Sequence, residues 1–421
     1  MGKGISTALI LVAIVAIGMA AVSLQTFNPG IKIKGLENAK EESYQCDSIP
    51  KPREFSTDKY YTGPLIDSHV HFPTVFEIPT FISSSLGFQK FATLGKDITI
   101  DELICSMDKG NIKSLIGFHI TQSFSVGQTI DVANKIYKRH PGRVHHFIMP
   151  SPFLSPIFQP NDLDNILKSN PGLFKGYGEL GFYLEPLRKY SPDDDILLQT
   201  YDVAEEHNLI VMIHPDGHQK YDVKRAFENN PNVIFFIHGV EIKDNVRDFI
   251  EYPNVFYSLD ANMFDNFYGA KDKEEFLSKF RENFYDILDR EVNGWKDIME
   301  EHPDKFTWGT DRALNWHFDE EVVGIVEEFS RAFIGRLDTK VQEKFAYQNA
   351  ERMLEKRKEK SGVSIQKKTT EDQRGLVGLC SDEKDCGIFC HNNVGQCKEA
   401  CRQDPENPIC KKPFGSEAFP K

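Results

Sequence analysis

Short apolar runs alternate with longer amphipathic segments through the middle of the chain. Eight runs stand out, at residues 65–71, 114–120, 144–149, 174–182, 209–214, 233–238, 254–260 and 306–311. Each has the length of a β-strand, and its nearly continuous apolar character is typical of a strand buried on both faces. The pattern therefore predicts eight buried strands separated by helical segments.

The segments between the runs carry helix signals. Leu197, Tyr201 and Ala204 recur at the spacing of one helical face, and Ser191 and Pro192 before them fit the N-cap and first position of a helix. Eight strands that alternate with helices predict a (β/α)8 TIM-type barrel over residues 63–356. An open doubly wound sheet is the structural alternative, although such sheets usually have fewer strands.

The segments that flank the predicted barrel differ from it in composition. Residues 1–26 contain a nearly unbroken apolar run behind Lys3, long enough to cross a hydrocarbon layer of ~30 Å. We predict a membrane anchor there, with a cleaved signal segment as the alternative. Residues 27–62 are predicted as a tether, 357–376 as a charged linker and 377–421 as a small cysteine-rich module.

The cysteines are concentrated at the end of the chain. Six of the eight lie there: Cys380, Cys386, Cys390, Cys397, Cys401 and Cys410. An even number packed into a short segment predicts a disulfide framework in an oxidising compartment, and a structural zinc site fits the spacings poorly. Cys46 and Cys105 are candidates for one further pair. We therefore expect an extracytoplasmic catalytic domain that is membrane-anchored or, alternatively, secreted.

The charge balance bears on the partners. With 50 Lys and Arg against 63 Asp and Glu, the chain has a net charge of −13, which argues against nucleic acid as a partner. The expected partners are a small-molecule substrate and, through residues 1–26, a membrane. Formation of a homo-oligomer stays open.

Polar side chains occur at or near the ends of several predicted strands. His69 and His71 are two apart in the first run, so both imidazoles point to the same face. Later runs contribute further groups: Glu179, His214, His238 and Asp311. A closed barrel would bring all six to one mouth, where such nitrogen and carboxylate ligands suit one or two divalent ions. Zinc is the expected metal, with manganese, iron and nickel as alternatives.

A metal at this mouth would lower the pKa of a bound water toward ~7. A carboxylate beside that water can take its proton, and we assign this role to Asp311. A histidine that faces the substrate can polarise the bond under attack, which suits His238. Asp311 and His238 are therefore the predicted catalytic residues.

The ordered set resembles the metal-dependent amidohydrolase superfamily over about residues 64–355. That superfamily combines a (β/α)8 barrel with His-x-His after strand one, a carboxylate or lysine on strand four, histidines on strands five and six, and aspartate on strand eight. The resemblance implies ligand roles for the same six residues. Lys175 lies too early in its run to be the strand-four lysine of some relatives.

Two branches of the superfamily compete. The sequence Gly-Glu-Leu-Gly around Glu179 resembles the TatD-type deoxyribonucleases, in which that glutamate bridges two metals. Asp-Ser-His-Val-His and Trp-Gly-Thr-Asp resemble the "amidohydrolase 2" branch, which includes mononuclear hydrolases and non-oxidative decarboxylases. Proline often follows the aspartate by two residues in that branch, where this chain has Ala313.

We therefore expect a metal-dependent hydrolase that directs a metal-activated water at a carbonyl substrate, an amide, ester or lactone. A non-oxidative decarboxylase, a TatD-like phosphodiesterase and an inactive surface binding or scaffold protein are the alternatives. Two long connections, residues 72–113 and 261–305, follow strand ends, where barrel enzymes build their substrate sites, and one of them is expected to line the pocket.

Overall fold

The structure, a computed structural model, describes residues 46, 52–73, 92, 94, 97–151, 157–184 and 187–356. The chain divides into two compact units, Met1–Cys46 and Asp47–Lys421. All described helices and strands belong to the second unit.

Eight parallel strands form one sheet in the order in which they occur along the chain. The strands are β1 (Leu65–Pro73), β2 (Ile112–Thr121), β3 (Val144–Pro150), β4 (Phe174–Gly181), β5 (Ile210–His214), β6 (Ile234–Ile237), β7 (Val255–Leu259) and β8 (Phe306–Trp308). The chain just after β8 meets β1, because the Asp311 amide donates to the His69 carbonyl at 2.7 Å and the His71 amide donates to the Arg312 carbonyl at 2.8 Å. The sheet closes in this way, which confirms the predicted barrel.

Helices occupy the connections, as the alternating pattern predicts. The α-helices are α1 (Ile100–Lys109), α2 (Val126–Arg139), α3 (Pro160–Ser169), α4 (Asp195–Glu206), α5 (Lys220–Asn229), α6 (Val246–Ile250), α7 (Lys273–Glu282), α8 (Phe284–Glu301), α9 (Glu320–Gly335), α10 (Thr339–Glu343) and α11 (Asn349–Lys356). Short elements add 3-10 helices at Ser123–Ser125, Leu187–Lys189, Val240–Asn245, Ala261–Met263 and Asn315–Phe318, and a π-helical turn at Lys344–Gln348.

Local sequence explains where two of the helices begin. The Thr99 hydroxyl accepts from the Glu102 amide at 3.1 Å and the Glu102 carboxylate accepts from the Thr99 amide at 2.7 Å, so a capping box starts α1. The start predicted at Ser191 is wrong, because α4 begins at Asp195. The Asp194 carboxylate accepts from the Ser191 amide at 3.0 Å, and this bond holds the preceding residues in a turn.

Hydrophobic side chains fill both faces of the sheet. One group consists largely of alternate strand residues that point into the barrel, together with two residues of α11: Ile116, Phe118, Phe147, Met149, Ile210, Met212, Ile234, Phe236, Phe256, Met353 and Leu354. A larger group packs the outer face of the sheet against the helices. Because both faces are covered, the strands are apolar throughout, and each polar residue in them needs a partner inside the protein.

The prediction of a membrane-anchored protein is contradicted. Across the described ranges of the chain, no helix combines the length with the apolar character that a membrane crossing requires. The apolar run itself, in residues 1–26, lies outside the described residues.

The predicted cysteine-rich module at residues 377–421 and the charged linker before it also lie outside the described residues. Of the cysteines that the structure describes, Cys46 and Cys105 both take part in disulfide bonds. Residues 54 and 55 of the predicted tether pack on the barrel, since the amides of Glu54 and Phe55 donate to Glu328 of α9 at 2.8 and 2.7 Å.

Candidate metal centre

All six side chains predicted as metal ligands meet at the carboxyl ends of the strands. The Nε2 atoms of His69 and His71 lie 3.0 Å apart. Asp311 Oδ1 lies 3.4 Å from Nε2 of His69 and 2.9 Å from Nε2 of His71. Glu179 Oε2 lies 3.6 and 3.3 Å from the same two nitrogens. We call these four side chains the first half of the mouth cluster.

The second half of the mouth cluster consists of Glu179, His214 and His238. Glu179 Oε1, the other oxygen of the same carboxylate, lies 2.9 Å from His214 Nδ1 and 2.8 Å from His238 Nε2. Glu179 therefore belongs to both halves, with one oxygen turned toward each. Glu179 and the four histidines of the two halves are each at least nine-tenths buried.

Two carboxylates that sequence reasoning did not assign to the site complete the mouth cluster. Asp260, directly after β7, places Oδ2 at 2.9 Å from His69 Nδ1 and 3.3 Å from His238 Nδ1. Glu241, three residues beyond His238, places Oε2 at 2.8 Å from His214 Nε2. The run 254–260 ends in Asp260 just as other runs end in ligands, so that signal was present, whereas no pattern marks Glu241.

Two glycines allow the backbone to position these side chains. Gly178 has a φ of 110°, and a Cβ there would lie 2.2 Å from the carbonyl oxygen of Met212. Gly239 has a φ of 118°, and a Cβ there would lie 2.3 Å from Nε2 of His214. Only glycine combines this backbone conformation with such close neighbours, so both positions admit no larger residue without displacing the site.

A buried ion-pair network holds Asp311 against β1. Asp67 Oδ1 accepts from the Thr310 amide at 2.9 Å, while Oδ2 accepts from the Thr310 hydroxyl at 2.7 Å and from Arg312 at 2.9 Å. We call Asp67, Thr310 and Arg312 the Asp67 network. Since Asp311 lies between Thr310 and Arg312, the network fixes the backbone on both sides of it.

The long connection after β7 contributes to the mouth, as the sequence predicts for one of the two long connections. Tyr268 donates from its hydroxyl to Oδ1 of Asp311 at 3.2 Å and also to the Asp311 carbonyl. Tyr183, just after β4, packs its ring on His214 with the ring centroids 4.0 Å apart. These two tyrosines form aromatic walls on opposite halves of the mouth cluster.

The mouth cluster attracts positive charge. Burial lowers the pKa of His69, but the charge of Asp311 and hydrogen bonds with Asp260 and Glu179 outweigh it and raise the value to about 9. Burial raises the pKa of Glu179, yet His238 and hydrogen bonds with His214 and His69 hold the pKa of this carboxylate well below its ordinary range. A cation in the cluster, either a proton or a metal ion, therefore lies in a favourable field.

The donor set fits a metal ion. Because His69 Nδ1 faces a carboxylate oxygen of Asp260, the neutral ring keeps its proton there and presents the lone pair of Nε2. That lone pair points at a second imidazole and at two carboxylate oxygens, all within 3.6 Å. Acceptors that face one another repel unless a cation lies between them. The ligand atoms of His69, His71 and Glu179 all lie within 4.8 Å of one another, as do those of Glu179, His214 and His238.

No protein-family profile and no curated protein sequence matches the chain. Among solved structures, a probable 2-pyrone-4,6-dicarboxylic acid hydrolase from Acinetobacter baumannii, with citric acid bound, is 15% identical with a TM-score of 0.45. The match covers 69% of this chain and 98% of that one. An amidohydrolase from Burkholderia multivorans with bound zinc is 14% identical with a TM-score of 0.47, over 69% of this chain and 99% of that one.

A third similar structure is a 5-carboxyvanillate decarboxylase from Sphingomonas paucimobilis, 12% identical with a TM-score of 0.41, over 70% of this chain and 99% of that one. These similarities assign neither a family nor an activity to this chain.

Proposed function

We propose that this chain is a metal-dependent hydrolase of the amidohydrolase type, with two divalent ions and a carbonyl substrate such as an amide, an ester or a lactone. The observation that supports two ions is the orientation of Glu179. Its Oε2 faces the His69 and His71 nitrogens, and its Oε1 faces His214 and His238. A carboxylate that turns one oxygen to each of two histidine pairs is suited to bridge two cations.

His69, His71 and Asp311 would hold one ion, His214 and His238 the other, and Glu179 both. A bound divalent ion supplies Lewis acidity and lowers the pKa of a coordinated water toward ~7. Zinc, manganese, iron and nickel all suit imidazole and carboxylate ligands.

Asp311 has the geometry of the general base. Its Oδ1 faces the first half of the mouth cluster and has the Tyr268 hydroxyl 3.2 Å away. Only a small part of its side chain, 13%, is exposed, so Asp311 lies where the mouth meets solvent. Asp311 would accept a proton from the attacking water at Oδ1 while Tyr268 keeps the carboxylate oriented.

His238 suits the metal role better than the predicted role of a group that polarises the substrate. Its Nε2 faces Glu179 at 2.8 Å and its Nδ1 faces Asp260 at 3.3 Å. With both ring nitrogens turned to carboxylates and the ring 2% exposed, His238 has no free donor for a substrate. We therefore assign His238 to the second ion.

Metal content and product analysis test the proposal. Metal analysis after reconstitution is expected to find two ions per chain in the wild type, and Glu179→Gln is expected to lose at least one. A panel of amides, esters, lactones and aromatic carboxylic acids is then assayed with the metal-loaded enzyme. Release of carbon dioxide without hydrolysis would replace the proposal by a decarboxylase, and a chain that binds no metal would overturn it.

A further inference from the structure

We propose that Asp260 is a positioning residue shared by both ions, whereas Glu241 positions a ligand of only one. This inference rests on the proposed function, because it concerns how the protein prepares its own histidines for the two ions. The mouth cluster contains more carboxylates than the ligand set needs, and the extra two differ in which histidines they contact.

Asp260 lies between the two halves of the mouth cluster. Its Oδ2 is 2.9 Å from His69 Nδ1 and 3.3 Å from His238 Nδ1, and its side chain is fully buried. The same oxygen is therefore hydrogen-bonded to His69 of the first half and lies within ion-pair distance of His238 of the second half. The rings of His69 and His238 are in contact, nearly perpendicular, with centroids 4.5 Å apart.

With ions bound on the Nε2 side, Asp260 would fix the tautomer of both rings. A neutral imidazole has one proton, and a carboxylate beside Nδ1 places that proton on Nδ1. The Nε2 atoms of His69 and His238 are then both lone-pair donors, and both face Glu179, at 3.6 Å from Oε2 and 2.8 Å from Oε1 respectively. Asp260 thus lies behind both rings, on the side away from the bridging carboxylate, where it orients ligands instead of competing for the ions.

Glu241 repeats this arrangement at one histidine. His214 faces Glu179 through Nδ1 at 2.9 Å and Glu241 through Nε2 at 2.8 Å. With the second ion bound beside Glu179, Glu241 would hold the proton on Nε2 and leave Nδ1 as the donor to that ion. Glu241 is about one-third exposed and has no bond to the first half among the contacts of the described residues, so its effect is confined to the second ion.

The two carboxylates can be separated by titrating metal-free protein with zinc and measuring heat. Asp260→Asn is expected to lower the affinity for both ions by about 10- to 100-fold, the usual effect of removing a partner of a metal-bound histidine. Glu241→Gln is expected to lower the affinity for one ion by a similar factor and to leave the affinity for the other within about 2-fold of the wild-type value. Asp265→Asn, five residues beyond Asp260 and paired with exposed Arg290, is the matched control and is expected to bind both ions normally.

Nitrogen NMR of the histidine rings supplies a readout that needs no variant. In the metal-loaded wild type, His69 and His238 are expected to carry their protons on Nδ1 and His214 on Nε2. The opposite tautomer at His69 or His238 would overturn the proposal even if Asp260→Asn fails to fold.

The outcomes of the titration distinguish this inference from the proposed function. If Asp260→Asn loses one ion and binds the other normally, Asp260 is a ligand of the lost ion. If Asp260→Asn binds both ions with wild-type affinity, Asp260 has no role in metal binding. Either result overturns the shared positioning role. A wild-type protein that takes up no zinc would instead overturn the proposed function.

Discussion

The mouth cluster and the Asp67 network are both buried, charged and built on β1 and the chain after β8, yet they are organised in opposite ways. In the Asp67 network, donors meet acceptors: Asp67 accepts from Thr310 and from Arg312 at 2.7 to 2.9 Å. In the mouth cluster, groups that can each bind a cation face one another, as in the contact of 3.0 Å between Nε2 of His69 and Nε2 of His71.

This difference distinguishes buried polar groups that stabilise the fold from buried polar groups that bind a ligand. A buried polar group costs free energy unless it has a partner, so a network that only stabilises the fold should be internally complete. The Asp67 network meets that condition. The mouth cluster needs an added cation to meet it, which is the physical reason to expect a ligand there and not at the Asp67 network.

The largest expected effect follows from removing a ligand of the mouth cluster. His69→Ala should abolish tight metal binding and lower the activity about 1,000-fold or more, because a metal ion contributes several kcal/mol to the stability of the transition state. Metal analysis and steady-state kinetics measure the two effects. His119→Ala is the control: His119 is a buried histidine bonded to His146 at 2.8 Å, and this variant should keep its metal. Full metal content in His69→Ala would remove the basis of the comparison.

Removing the cation of the Asp67 network should lower stability. Arg312→Ala leaves Asp67 buried without its counter-charge and is expected to cost about 3–5 kcal/mol of unfolding free energy. Asp265→Ala breaks a pair with Arg290 of similar length, 2.7 Å, that is about half exposed, and it should cost less than about 1 kcal/mol. Urea unfolding compares the two variants. Equal losses would show that burial does not distinguish these ion pairs.

A group beside the Asp67 network predicts a pH dependence. Glu327 is partly exposed as a residue, but its Oε1 is buried and has no hydrogen-bond partner. Burial raises the pKa of Glu327 to about 7, although Arg312 and Arg331 oppose the shift. The pKa of Glu327 is higher in the folded than in the unfolded protein. Its protonated carboxyl therefore contributes its full stabilisation below about pH 4.5, and this contribution is lost as the pH rises through about 7.

Glu327→Gln cannot titrate and should therefore escape that loss. We compare the unfolding free energy of Glu327→Gln with that of the wild type at each pH. This difference is expected to favour the variant by about 1–2 kcal/mol more at pH 8 than at pH 4.5. Urea unfolding across this range is the measurement, and Glu320→Gln, on the exposed Glu320, should show no such trend. A difference between Glu327→Gln and the wild type that does not change with pH would mean that Glu327 ionises normally.

The smallest expected effect concerns the orientation of the general base. Tyr268→Phe removes the hydroxyl that donates to Asp311 and should lower kcat by about 3- to 10-fold, equivalent to about 1 kcal/mol. Metal content should stay unchanged, because the tyrosine contacts only Asp311 among the proposed ligands in the described contacts. Tyr285→Phe, whose hydroxyl donates to the Ser56 carbonyl at 3.0 Å, is the control outside the mouth. An unchanged kcat in Tyr268→Phe would exclude a role for this bond in catalysis.

The sequence by itself determined the barrel and most of the mouth cluster. Strands buried on both faces must be apolar throughout, so eight such runs with helices between them left few alternatives, and a polar residue at the end of a run was conspicuous. The side chains found in this way were His69, His71, Glu179, His214, His238 and Asp311. The start of α4 was misplaced, because a serine followed by proline fits a turn as well as an N-cap.

Only the tertiary structure decided how these groups face one another. Glu241 follows no strand-end pattern, and its contact with His214 exists because Gly239 lets the chain turn back over β5. The division of Glu179 between two histidine pairs, and the position of Asp260 behind two rings, depend on distances between strands that are remote in sequence. The type and order of the secondary-structure elements follow from the local hydrophobic pattern. Hydrogen-bond partners across a closed barrel depend instead on the packing of the whole sheet.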